Sequence, residues 1–282
     1  MWKPLALALL LTLSLNHSGG GGERRSEVPP APAGPECPTE SSEPDKGSTC
    51  IVKRGSNWTY AFVYPAEAAR IPALHAWLRS QSNEDAGDHE ASIGSLANYA
   101  KEHPEGRFFH EKVFKVDADL PGLLALSKAT SEYSGGAHGW FTFDTLLWDK
   151  TRNRKLEPAE LFSDLAAANT EIQVHLCPVL LESRRREAAR GDGFFNGPCT
   201  KPPYNMTPVA AGGRATALKV TFAELDGYAG GTYEVWVPVT ARLRALVAER
   251  FRSGFALSAS PPRACNSNVG CVDGRPPRAQ PQ

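Results

Sequence analysis

Large aromatic side chains at Trp58, Tyr60, Phe62 and Tyr64 alternate with smaller or polar residues, and that period of two predicts a strand ended by Pro65. Pro72 opens a helix that carries Leu74, Trp77 and Leu78 on one face and Ile93, Leu96 and Tyr99 further on. The segment from Asn83 to Asp88 interrupts the apolar spacing, so a bulged or frayed stretch is expected there. Phe108 to Val116 reads as a strand with Phe108, Phe114 and Val116 on one face. Leu123 to Tyr133 and Trp140 to Trp148 read as two more, joined as a hairpin by the glycine-rich turn Ser134 to Gly139. Asp149 to Arg154 is a polar turn that leads into a third strand or a short extension.

The second half of the chain repeats the mixture. Pro158 to Leu165 is expected to be a short helix with proline in its first turn. Asn169 or Thr170 is expected to cap a longer helix reaching about Arg190, kinked or restarted at Pro178. Residues 191–213 read as a loop. Leu218 to Leu225 and Tyr233 to Val239 form a hairpin around the turn Asp226 to Gly231, and Ala241 to Phe251 reads as one amphipathic helix with Leu243, Leu246 and Val247 inward. Hairpins without strict strand–helix alternation predict an α+β fold, with mainly antiparallel hairpins, packed helices and two abutting subdomains.

The ends of the chain add a compartment. Lys3 and the 11-residue apolar run Leu5 to Leu15 fit a secretory signal peptide, assigned to residues 1–17. The run is too short to cross a hydrocarbon core of about 30 Å. The alternative is an uncleaved short anchor, the one route by which membrane association is expected. Residues 18–49 are rich in Gly, Pro, Ser and Glu and read as a tether, and residues 258–282 as a Pro- and Arg-rich tail. The six cysteines, Cys37, Cys50, Cys177, Cys199, Cys265 and Cys271, are expected to form disulfides in an exported protein. Of the 15 connectivities open to six cysteines, sequential pairing is favoured because each adjacent pair closes a short polar loop.

Lys plus Arg and Asp plus Glu both number 31, so the zero balance gives no electrostatic basis for binding nucleic acid. The run Arg184-Arg185-Arg186 reads as a solvated helix face. No HExxH, GxSxG, GxxxxGK[ST] or GxGxxG motif is present, no two histidines fall four apart, and no cysteine pair has CxxC spacing. Neither a metal site nor a cofactor is expected from these patterns. Asp144 and Asp149 are a pair of carboxylates too common in type to identify an acid/base couple.

The most informative segment is Tyr133-Ser134-Gly135-Gly136-Ala137-His138-Gly139-Trp140. Its glycines permit positive φ and close backbone approach. Two readings stand side by side: a recognition loop presenting His138, or a tight turn in which His138 caps a backbone carbonyl. The turn containing Tyr228 has the same two readings, and its tyrosine favours contact.

With Tyr133 to Phe143, Leu161-Phe162 and Phe222 to Pro238, the chain resembles the paired domains of bacterial envelope proteins related to the anti-sigma factor RsiV. The first of those domains also precedes the catalytic domain of the peptidoglycan deacetylase PdaC. The resemblance spans roughly residues 50–257. It implies a PdaC-type α+β domain at 50–148 and an RsiV C-terminal-like domain at 149–257. Cys177 and Cys199 resemble the helix-to-loop pair of a lipoprotein-like branch. One branch of the family binds lysozyme, and in the other the chemistry belongs to a separate domain whose metal-binding Asp and HxxxH pattern are missing from this chain. The expectation is therefore a non-catalytic, extracytoplasmic module that binds lysozyme or a peptidoglycan fragment. Ser134, Gly135, Gly136, His138, Gly139, Trp140 and Tyr228 are its expected contacts. The rival is a hydrolase or deacetylase with a site around His138 and Asp144.

Overall fold

In the computed structural model, the residues described are 47–55, 57–95, 108–135, 138–190, 198–202, 204–223, 225 and 230–275. The signal peptide, nearly all of the tether, Cys37, Gly136 and Tyr228 lie outside them. The α+β expectation holds: two open, mainly antiparallel sheets and a few helices form two packed subdomains.

The alternating aromatic stretch forms β2 (Trp58–Tyr64), preceded by β1 (Thr49–Arg54), which the sequence pattern had not marked. A one-turn helix α1 (Ala66–Ala69) and the long α2 (Pro72–Ser95) then cross over to β3 (Phe108–Leu120). This crossover makes β2 and β3 the one parallel pair in the first sheet. β4 (Leu123–Tyr133), β5 (Trp140–Asp149) and the short β6 (Arg154–Leu156) complete it in sequential order.

The expected break at Asn83 to Asp88 is absent, and α2 is continuous. Its buried positions are Leu74, Leu78, Ser82, Ala86, His89 and Ile93, spaced by three or four throughout. Small and polar side chains carry the stripe through its middle, so the helical period survives while the hydrophobic signal fades.

After a 3-10 turn at Pro158–Leu161 comes α3 (Leu165–Ala188). Its cap is Asp164, whose carboxylate accepts from the Ala167 amide at 3.0 Å, rather than Asn169 or Thr170. Thr170 lies inside the helix and donates to the Ala166 carbonyl. Pro178 stays within the helix and starts no new one. The carbonyl its missing N–H would have served is that of Val174, an exposed residue open to water. Arg184 corrects the expectation of a solvated basic face: it is buried and donates to the Pro198 carbonyl, while Arg185 and Arg186 pair with Glu182.

The second sheet holds β7 (Met206–Ala211), β8 (Arg214–Phe222), β9 (Tyr233–Pro238), β10 (Arg263–Asn266) and β11 (Gly270–Asp273), in the order β11-β10-β9-β8-β7. β7 falls where a loop was expected. Pro208 obscured it, and as an edge strand it tolerates that proline. The tail likewise contributes the hairpin β10–β11, whose buried apolar side chains are only Ala264 and Val272. The single helix expected over Ala241 to Phe251 is split into α4 (Ala241–Leu246) and α5 (Glu249–Arg252). The intervening main chain pairs with the segment after β6: Ala248 donates to the Leu161 carbonyl and Ser163 to the Leu246 carbonyl.

β4 is buried on both faces. Its odd-numbered Leu123 and Ala125 join Leu147, Ile172, Leu176, Leu218 and Val235 in one core beneath α3 and the second sheet. Its even-numbered Leu124 and Leu126 join Tyr60, Phe62, Leu74, Leu78, Leu146 and Trp148 in a second core beneath α2. A register shift between Val116 and Ala118 leaves Asp117 out of the β3–β4 ladder. Its carboxylate accepts from Thr207 at 2.6 Å and pairs with Lys219 at 2.7 Å, tying the two sheets together. Cys177 is bonded to Cys199 and Cys265 to Cys271, as sequential pairing requires. Cys50 is also disulfide-bonded, and its expected partner Cys37 lies outside the described residues.

Two stability predictions follow from this packing. Replacing Cys177 and Cys199 together by alanine releases a loop of 22-residue separation and should lower unfolding free energy by about 3 kcal/mol in denaturant titration; an unchanged midpoint would refute the role given to this bridge. Asp117→Ala leaves Lys219 and Thr207 without their shared acceptor and should cost about 2 kcal/mol. Adding Lys219→Met should recover part of that loss, and strictly additive losses would show that the pair is not coupled.

Candidate functional site

The turn after β4 is held closely against its own strand. A Cβ built on Gly139 would stand 2.7 Å from the Glu132 carbonyl oxygen, so only glycine fits. Gly135 has φ +103°, which also favours glycine. Ser134 and Gly135 are half-buried and His138 is exposed. The His138 Nδ1 lies 2.8 Å from the Gly139 carbonyl oxygen, a donor's distance from that acceptor, which is the capping geometry of the turn reading. Trp140 and Phe141 remain 41% and 39% exposed, two of the four large hydrophobic side chains so exposed among the described residues.

The sheet register continues this edge into the molecule. Trp140 lies opposite Glu132, Glu132 opposite His110, and His110 opposite Tyr60, a single row across four strands on the face beneath α2. His110 Nδ1 donates to Glu132 Oε2 at 2.9 Å, and both side chains are mostly buried. His89 descends from α2 onto the same row, 4% exposed, with its ring centre 5.4 Å from that of His110. Tyr60 stacks on His110 at 5.8 Å and Trp58 meets His89 edge-on at 5.5 Å, so aromatic walls fix both imidazoles. The Nε2 atoms of both histidines are buried and have no hydrogen-bond partner among the described residues. One donor atom from each of His89, His110 and Glu132 lies within 4.8 Å of the other two. These are the residues that could hold a metal ion, and none of the three had been selected from sequence. They stand 21 and 22 positions apart, so no local motif announces them; the available signal was a histidine and a glutamate at inward-facing strand positions.

Further along the same face, a cleft of about 220 Å³ opens between α2 and the sheet. Lys112 pairs with Asp85 and Lys128 with Asp144 along its lining, each at 2.7 Å. The structure does not bring Asp144 to His138. Trp140 and Asp144 are four positions apart on one strand, roughly 13 Å, and Asp144 is occupied by Lys128.

Burial lowers the affinity of His89 for a proton, with the neighbouring His110 acting the same way and Glu132 opposing. The hydrogen bond from His110 holds the Glu132 carboxyl below its ordinary value of 4.5, against the effect of burial. Both folded pKa values are depressed. The stability each contributes is present above its unfolded value and is lost as pH falls, beginning near 6.5 for His89 and near 4.5 for Glu132. Acidifying the chelator-treated chain from about pH 7.5 to about pH 5 should therefore lower the melting temperature of wild type more than that of His89→Gln. Equal decreases would show that His89 is not buried as a neutral ring.

No family model matches this chain, and no curated protein matches it. Among solved structures it is similar to a member of the DUF3298 family from Bacteroides fragilis, 14% identical, covering 73% of this chain and 95% of that one, with a TM-score of 0.47. It is also similar to a DUF3298 family protein from Pseudomonas aeruginosa, again 14% identical, covering 72% and 93%, with a TM-score of 0.38.

Proposed function

We propose that this chain is an exported, non-catalytic envelope module that binds a cell-wall glycan or a wall-degrading enzyme such as lysozyme through the tip of the β4–β5 hairpin. The observation that carries the reading is the exposed pair Trp140 and Phe141 beside His138, held on a turn that Gly139 presses against the Glu132 carbonyl. Consecutive strand residues point to opposite faces, so the two rings flank the hairpin edge and offer rigid apolar area on either side of it. The fit of Gly139 against the Glu132 carbonyl limits the entropy lost when the hairpin engages a partner. Extracytoplasmic residence is supported by the disulfides, which persist in oxidising compartments, and by the apolar run Leu5 to Leu15. Among the described residues no helix is long and apolar enough to cross a membrane.

Trp140→Ala and His138→Ala test the reading on one footing. Binding of the oxidised chain to lysozyme and to soluble muropeptides should weaken at least about 10-fold with Trp140→Ala, as for a central aromatic contact. His138→Ala should weaken it less. Both variants should keep their unfolding free energies within the range of ordinary surface substitutions, about 0.5 kcal/mol. Unchanged binding by both, with a loss of stability in His138→Ala, would make the hairpin a structural turn only.

A further inference from the structure

We propose that His89, His110 and Glu132 form a binding site for a divalent transition metal of the Zn²⁺ class, beneath the row that ends at Trp140. The three come from α2, β3 and β4, and one donor atom from each already lies within 4.8 Å of the others. This proposal is independent of the envelope-binding reading.

Clustered histidines also occur in plain hydrogen-bonded cores. In such a core most buried ring nitrogens find a partner. Here the Nε2 atoms of His89 and His110 are both buried and both lack one among the described residues. His110 and Glu132 already share a proton between Nδ1 and Oε2, and a metal ion takes the place of that proton by binding both side chains, with His89 supplying the third donor atom.

Two imidazoles and one carboxylate suit zinc, which takes nitrogen and oxygen donors and leaves a fourth position for water when the protein supplies three. Hard cations such as Mg²⁺ and Ca²⁺ prefer all-oxygen sites, and only one of the three donors is oxygen. Coordination bonds of about 2.0–2.2 Å place tetrahedral donors roughly 3.4 Å apart. Ligation therefore draws the three side chains inward, the ion replacing the proton between His110 Nδ1 and Glu132 Oε2. The strands and helix have only to hold their present register. Nearby charges do not compete: Asp85 is paired with Lys112 and Asp144 with Lys128. Thiols do not compete either, since every described cysteine is disulfide-bonded.

The experiment is isothermal titration of the oxidised, tag-free full chain with zinc chloride after chelator treatment, near neutral pH. Wild type should bind one Zn²⁺ per chain saturably and melt at a higher temperature when loaded. His89→Gln should weaken binding by about 100-fold and Glu132→Gln by at least about 10-fold, while His175→Ala, away from the cluster, should behave as wild type. Circular dichroism establishes that each variant is folded. If His89→Gln is not, His110→Gln and Glu132→Gln decide the matter. The proposal is overturned if wild type shows no saturable zinc binding, or if folded variants at these positions bind with wild-type stoichiometry and affinity.

Discussion

The structure depends on burying three neighbouring strands from both sides. β4 and its neighbours β3 and β5 lie between α2 on one face and the second sheet with α3 on the other. A period of two then governs every side chain they carry. Leu123, Ala125 and Leu147 must be apolar because they meet the second sheet, and Leu124, Leu126 and Leu146 because they meet α2. A one-residue slip would exchange the two sets and place Ser127, Ala129 and Ser131 where Lys128, Thr130 and Glu132 now stand. The bulge at Asp117 fits the same constraint. It shifts β3 by one residue, so that Ala118 and Leu120 turn toward the second sheet while Phe114 stays under α2, and the displaced carboxylate anchors β7 and β8.

Along the face beneath α2 the rows change character in order. Leu124–Trp148 and Leu126–Leu146 are apolar, Lys128–Asp144 is an ion pair, and His110–Glu132–Trp140 is polar and aromatic. α2 changes in step, from Leu74 and Leu78 through Ser82 and Asp85 to His89. Partly buried charge is tolerated where it is paired and hydrogen-bonded, and Lys112–Asp85 and Lys128–Asp144 satisfy that condition. The histidine end satisfies it only in part. One nitrogen of His110 is bonded to Glu132, while two further ring nitrogens are buried without partners among the described residues. Two imidazoles with unpartnered buried nitrogens gathered beside one carboxylate set this end of the face apart from the paired charges further along it.

Much of the first sheet was legible because its strands follow the patterns that sequence reveals. β2 and β4 fall at their expected limits, and β5 extends one residue further. What escaped had muted signals. β1 is partly buried along its length and lacks a clean alternation, β7 contains Pro208, and β10–β11 bury only two apolar side chains. The division between α4 and α5 is tertiary in origin, since the main chain there is recruited by Leu161 and Ser163, more than eighty positions away in sequence. The site divides in the same manner. The hairpin tip was visible as a local run of glycines and aromatics, whereas His89, His110 and Glu132 meet only after a crossover helix and a strand pairing are in place.

These two parts of the site share a backbone. Gly139 packs on the Glu132 carbonyl, and Trp140 is the cross-strand partner of Glu132, so the turn cannot move without moving the strand that carries the carboxylate. The carboxylate in turn holds His110, whose ring is stacked on Tyr60 in the middle of the sheet. Position at the tip is thus referred back to packed, rigid strands rather than left to the loop. That arrangement is what a recognition edge requires if its aromatic side chains are to meet a partner without first being ordered. It also gives Gly139 a purpose that a free turn would lack: its small size lets β5 start directly beside the end of the polar row, with the indole of Trp140 opposite Glu132 and in line with His110.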